Sequence, residues 1–171
     1  SSLYEDAGSQ VPGRSYEAVT QRPIWRHEAW ADELTTGERL PYLVVSENAD
    51  GAMAMSRVFT LAPKPTPGQP TRILLTSDHQ LKPMTPANLQ KVEETVGRVD
   101  AVFLAGDLVN VPDRASEWFD DARGGAFFPG LQGRGGRRLD DESGGTAYRG
   151  GEIIQHAPLY PLLGNHEVMG R

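Results

Sequence analysis

The period of apolar positions changes twice along the chain and divides it into three stretches. In the first, "PIWRHEAWADEL" alternates loosely, "RLPYLVVSE" is rich in strand formers, and Met53, Met55 and Val58 mark a further strand. "TTGE" is a turn signal, and "NADG" signals a hairpin, because Asn and Gly tolerate positive φ. Three strands at this spacing predict part of an antiparallel β-sandwich over residues 1–62. Residues 63–70, "PKPTPGQP", carry four prolines in eight positions and can continue neither a strand nor a helix. They predict a linker and a domain boundary.

From residue 71 the pattern is α/β. "TRILLTSD" is a short apolar run ending in an acid. "TPANLQKVEETVGR" predicts a helix, with Thr85 as N-cap, Pro86 at the first helical position, and Leu89, Val92 and Val96 on one face. "DAVFLAGDLVN" is a second apolar run ending in an acid, so strand, helix and strand form a βαβ unit with parallel strands. "SEWFDDAR" predicts a helical turn. Between Gly124 and Gly151 ten of 28 residues are glycine, with neither a strand before them nor a helix after them to make a phosphate cradle. Residues 112–151 therefore predict a mobile surface insertion, whose Phe127, Phe128 and Tyr148 leave open a role as a lid. "PLYPLLGNHE" is a third apolar run and stops in Asn165, His166 and Glu167.

Composition narrows the chemistry. The 171 residues hold no cysteine, which excludes disulfides, thiolate metal sites and thiol nucleophiles. A net charge of −6 argues against broad nucleic-acid or anionic-membrane binding. No apolar run approaches the length of a membrane span. The opening "SSLYEDAGSQVPGRS" lacks an apolar core, so a mature or trimmed N-terminus is expected rather than a signal peptide. Trp25, Trp30 and Trp118 are expected in core or interdomain packing. His27 and His156 have no partner pattern, and Arg134, Arg137 and Arg138 suit either a solvated loop or a phosphate contact.

The three apolar runs end in Asp78-His79-Gln80, in Gly106-Asp107-Leu108-Val109-Asn110 and in Gly164-Asn165-His166-Glu167. In an open parallel sheet the carboxyl ends of the strands line one edge, where ligands bind. Asp78 and Asp107 close together repel each other, and a divalent cation between them relieves the repulsion. Asn165 adds a neutral oxygen and His166 an imidazole, which suits a borderline metal better than calcium.

In that order the motifs resemble those of the calcineurin-like metallophosphoesterases. The strand-rich start and proline linker resemble the N-terminal sandwich of the purple acid phosphatase branch. The resemblance implies the first half of a four-layer α/β/β/α catalytic domain over residues 71–171, preceded by part of a fibronectin III-like sandwich. It implies two divalent or mixed-valence metal ions, Mn, Zn or Fe. Asp78 would bind the first ion, Asp107 would bridge both, and Asn165 would bind the second. Gln80 stands where the family carries a histidine, and is either a ligand or a hydrogen-bond partner of a metal-bound water. His166 would contact the phosphate or protonate the leaving oxygen, with Glu167 orienting it. Asn110 stands where the purple branch has a metal-binding tyrosine and either fixes the turn or meets the ligand; His79 is a further candidate substrate contact. The family's later histidine motifs are absent from these residues, so a C-terminal half, including one on a separate chain, is the implied partner.

The implied activity is hydrolysis of a phosphate monoester by a metal-bound hydroxide. A phosphodiesterase or nucleotidase of the same superfamily, and a non-catalytic binding protein on the same fold, are the alternatives. The layout also resembles exported enzymes, which implies a secreted or periplasmic protein.

Overall fold

The computed structural model describes residues 2–6, 19–32, 34, 37–139 and 145–168. An antiparallel pair, β1 (Ser2–Asp6) and β2 (Val19–Pro23), opens the chain. One interrupted hairpin follows. Its first arm is β3 (Leu40–Tyr42) and β4 (Val45–Glu47), and its return arm is β5 (Met53–Met55) and β6 (Phe59–Leu61). β4 pairs with β5 beside the turn, and β3 pairs with β6 further out. Asn48 closes the turn, as its Oδ1 accepts the N–H groups of Asp50 and Ala52 at 3.1 and 2.8 Å. Between the two ladders Leu43 and Val44 face Ser56, Arg57 and Val58, one residue more, which is why "RLPYLVVSE" breaks into two strands.

The sandwich expected over residues 1–62 does not form among the described residues. β4 and β5 are exposed along their whole length, so they have no second sheet to cover. "IWRHEAWA" forms no strand, and Trp25 and Trp30 are 80% and 94% exposed rather than packed. Alternation predicted strands here, but a strand without an apolar face to bury has little to hold it.

The α/β part follows its prediction more closely. β7 (Ile73–Thr76), α1 (Thr85–Thr95) and β8 (Ala101–Leu104) form the βαβ unit, and β11 (Leu159–Pro161) adds a third strand. All three strands are parallel, in the order β11-β8-β7. The helix starts one residue earlier than its sequence suggests: Met84 is the N-cap, and the Thr85 hydroxyl donates to the His79 carbonyl at 3.2 Å.

Between β8 and β11 lie α2 (Ala115–Phe119), α3 (Phe127–Leu131) and the antiparallel pair β9 (Arg137–Leu139) and β10 (Thr146–Tyr148). α4 (Asn165–Val168) follows β11. The expected mobile surface insertion is in large part core. Phe127, Leu131 and Ile153 are buried with Leu89, Val102 and Leu104 in one cluster. Phe127 stands edge-on to Trp118 at 5.4 Å, and Phe128 packs beside both. Phe127 and Phe128, two of the aromatics that suggested a lid, are thus spent on packing, while Tyr148 is half-buried in β10. Complete burial of Leu104 and Leu131 contributes roughly 1.5–3 kcal/mol each. Residues 140–144 lie outside the described residues.

The two faces of the sheet differ. Val102 and Leu104 of β8 are fully buried, and Leu74 and Leu159 pack against the same core. On the opposite face Leu75, Phe103 and Tyr160 lie in register across the three strands and are 73%, 40% and 50% exposed. Phe103 and Tyr160 stack at 5.0 Å. The architecture is therefore mixed α/β, and among the described residues the Leu75, Phe103 and Tyr160 face of the three-stranded sheet stays uncovered.

Polar contacts fasten the hairpin to the α/β part. Arg39 donates to the carbonyls of His156 and Val99 at 2.9 and 2.7 Å, and Tyr42 donates to the Gln155 carbonyl at 2.6 Å. Buried Glu152 pairs with Arg57, Arg98 and His156. His156 is thus part of a structural network. A cavity of about 920 Å³ separates the proline-rich segment from the starts of β8 and β11.

Candidate active site

The parallel order brings the three polar run-ends to one rim. Asp78 N–H donates to the Gly106 carbonyl at 3.2 Å, and Gln80 N–H donates to the Leu108 carbonyl at 3.1 Å. The loops after β7 and β8 therefore run side by side. Gly106, at φ +89°, lies so close to the third loop that a Cβ there would meet the Gly164 Cα at 2.6 Å. A Cβ on Gly164 would meet Asp107 Oδ1 at 2.1 Å. Two glycines let the second and third loops touch backbone to backbone.

The loop after β8 is held by two glutamates. Glu167 accepts the N–H groups of Asp107 and Leu108 at 2.8 Å and of Val109 at 3.4 Å, and also that of Gly164 at 2.8 Å. Glu117 accepts the next two, from Asn110 at 2.7 Å and Val111 at 2.9 Å. Five consecutive N–H groups thus point at carboxylates. Burial pushes the Glu167 carboxyl up, but its backbone donors outweigh burial and hold it below its usual range. For Glu117 burial prevails over the same kind of donors and over Arg114, and the carboxyl is raised. Nothing in the local sequence around Glu117 signals this role beyond an acid set in an otherwise apolar helical turn.

His166 N–H donates to Asp107 Oδ1 at 3.0 Å. Its ring Nδ1 lies 2.9 Å from the Asn110 carbonyl. A carbonyl only accepts, so Nδ1 carries the proton and Nε2 is the free end of the ring. The sequence expectation that Glu167 orients the imidazole needs correction. The Asn110 carbonyl contacts the ring, while Glu167 fixes the loops around it. Asn110 is in turn fixed by Glu117.

Asp78 is more open. Ser77 donates to its Oδ2 at 2.6 Å, and the Lys82 ammonium lies 3.6 Å from Oδ1. The Ser77 hydroxyl and then Lys82 hold the Asp78 carboxyl below its usual range. His79 points the other way. It is 5% exposed, its Nε2 is 3.2 Å from the Thr76 hydroxyl, and its ring packs 5.8 Å from Phe127. Burial pushes it down to about 4. That inward packing leaves little of its surface exposed, although it still lines a cleft of about 220 Å³ beside Asp78. Gln80 stays half-buried in the rim loop.

The donor chemistry fits part of a metal ion's coordination. Asp107 Oδ2 and the exposed Asn165 side chain make no hydrogen bond among the described residues, and Asp78 faces outward. These are hard oxygen donors suited to divalent cations. Among the described residues no group of three or more His, Asp or Glu side chains converges to complete such a site.

No family model and no curated protein matches the chain. Among solved structures it is similar to purple acid phosphatase PPD1 from yellow lupin (Lupinus luteus) seeds, at 18% identity and a TM-score of 0.45. The similarity covers 74% of this chain and 20% of the lupin chain, so this chain spans about a fifth of that protein's length.

Proposed function

We propose that this chain carries the first part of a metal-dependent phosphoesterase site and acts on phosphate esters, monoesters in the simplest reading. Backbone strain is the observation that carries the proposal. The non-glycine residues of the described chain with positive φ are Asp78, Gln80, Leu81 and Asp107, at +54°, +38°, +55° and +54°. All four lie in the two loops that bear the rim carboxylates. Strained residues of this kind cost on the order of 1–3 kcal/mol each and persist where function requires the geometry.

Asp78, Asp107 and Asn165 would hold the ions, with Gln80 as a further oxygen donor. Two divalent or mixed-valence ions (Mn, Zn or Fe), when bound, supply the Lewis acidity that activates water and neutralises phosphoryl charge. His166 keeps Nδ1–H on the Asn110 carbonyl, so Nε2 is the atom that would meet the phosphate, and only with the ring doubly protonated would it give a proton to the leaving oxygen. Glu167 and Glu117 keep that ring and Asp107 in place.

The uncovered apolar face of the sheet supports a partner. Parallel sheets are ordinarily covered on both sides, and a contiguous exposed apolar patch marks an interface. We assign that face to the C-terminal half of the same protein, on this or a separate chain, completing the four-layer domain. Residues 1–62, 63–70 and 71–171 then act as N-terminal unit, linker and catalytic unit. Among the described residues no helix is long and apolar enough to cross a membrane. Export to a secreted or periplasmic compartment is part of the proposal and rests on the family resemblance.

The incomplete cluster of acids and histidines favours one rival, a non-catalytic binding protein on the same fold. Mn²⁺-, Zn²⁺- or Fe-loaded protein, with its C-terminal half present, is assayed on p-nitrophenyl phosphate and on bis(p-nitrophenyl) phosphate. Turnover of the monoester that D78N and H166Q abolish supports the proposal, and faster turnover of the diester moves it to the phosphodiesterases. Bound metal with no turnover of either compound leaves the binding protein.

A further inference from the structure

We propose that the cavity of about 920 Å³ behind the proline-rich segment binds an amphipathic monocarboxylate, its hydrocarbon body on the apolar wall and its head on Lys64. The cavity lies where β8 and β11 begin, at the opposite end of the strands from the rim that bears Asp107 and His166. Nothing in it uses the rim. Its volume falls within the range of pockets that take small organic ligands, about 300–1,000 Å³.

The residues account for the shape of the cavity. Pro63, Pro65 and Pro70 have no N–H, so this strip of chain cannot join the sheet as a further paired strand. It presents carbon to the cavity instead. Pro63 and Pro65 line one side, and Leu61, Ile154, Ala157 and Leu159 line it from β6 and from the α/β part. Such a wall makes no demand for hydrogen bonds and rewards each methylene taken out of water.

Charge selects the head group. The charged side chains lining the cavity, among the described residues, are Lys64 and Asp100. Asp100 is already satisfied: its Oδ1 accepts from Arg39 at 3.1 Å, and its Oδ2 accepts the Arg72 N–H at 2.9 Å. Lys64 is exposed, and its ammonium makes no ion pair among the described residues. An entering anion therefore meets an uncommitted positive charge and a carboxylate whose own charge is covered. One ammonium balances one negative charge, which suits a carboxylate better than a doubly charged phosphate. Thr66 and Gln69, from the same segment, add neutral donors beside it.

The test is calorimetry of the wild-type chain with hexanoate, octanoate and decanoate. Affinity rises about three- to fourfold for each added methylene. K64M weakens octanoate about fivefold and leaves 1-octanol unchanged. A101L and I154W narrow the cavity from two walls and weaken both compounds. The uncovered sheet face is the competing place for an alkyl chain, and F103E there leaves octanoate binding as it was. Affinity that is independent of chain length, that K64M does not lower, that survives both A101L and I154W, or that F103E abolishes overturns the proposal. A doxyl-labelled alkanoate locates the ligand on the unsubstituted chain, even where a variant fails to fold. It bleaches the nuclear magnetic resonance signals of Ala62, Ile154 and Ala157 before those of Leu75 and Phe103, and the reverse order overturns the assignment.

Discussion

The loops after β7 and β8 present the same residue in the same backbone state, an aspartate at φ +54°, yet they are built in opposite ways. Asp107 stands in a loop whose successive N–H groups are taken by Glu167 and Glu117, with Gly164 pressed against it. Asp78 stands in a loop held by a hydroxyl, a surface lysine and two bonds to its neighbour. One end of the rim is fixed before any ligand arrives, while the other is left able to rearrange.

The contrast is broken most severely at Gly164. In G164A the added carbon meets Asp107 at less than van der Waals distance, so the second and third loops must part. Stability falls by about 3 kcal/mol in a urea titration, and any turnover under the proposed function falls with it. H166Q removes the imidazole proposed to act on the substrate and leaves the fold. Its kcat falls about 10²–10⁴-fold while the melting temperature stays near that of the wild type.

E117Q sharpens the picture by loosening the fixed loop from beneath. One acceptor and the ion pair with Arg114 are lost, and chemical denaturation at pH 7 registers about 1–3 kcal/mol. The pH dependence identifies the cause. Burial raises the Glu117 carboxyl above its ordinary 4.5, so between that value and its folded pKa the folded chain keeps a proton that the unfolded chain has released. Its contribution therefore weakens stability as pH rises through that window, and in E117Q this slope disappears. At the adjustable end the effect is smallest. S77A takes one donor from an exposed carboxylate, and its thermal melt shifts by the equivalent of about 0.5 kcal/mol or less.

Much of the fixed geometry was legible in the residues. Strand-end acids, a proline-started helix and the "GNHE" run state local preferences that the sheet respects, because the apolar strands must bury and the polar ends then fall at its edge. The supports were not legible. Glu117 and the Asn110 carbonyl act on His166 only after three loops have come together, and no spacing in the chain encodes that meeting. Phe127 and Leu131, four residues apart on one helical face, were hidden in a run of glycines that suggested a loose surface. The opposite error occurred near the start. Trp25 and Trp30 suggest packing by type, but both stay exposed among the described residues, and "IWRHEAWA" forms no strand.

The uncovered side of the sheet has a colloidal consequence. Crowded chains can cling to one another through Leu75, Phe103 and Tyr160, and the chain's net charge of −6 opposes that contact by repulsion. Salt shortens the reach of the repulsion to about 8 Å at physiological strength. Cloudiness on raising salt, cleared by a single Phe103→Glu replacement, is how that side makes itself visible in a test tube.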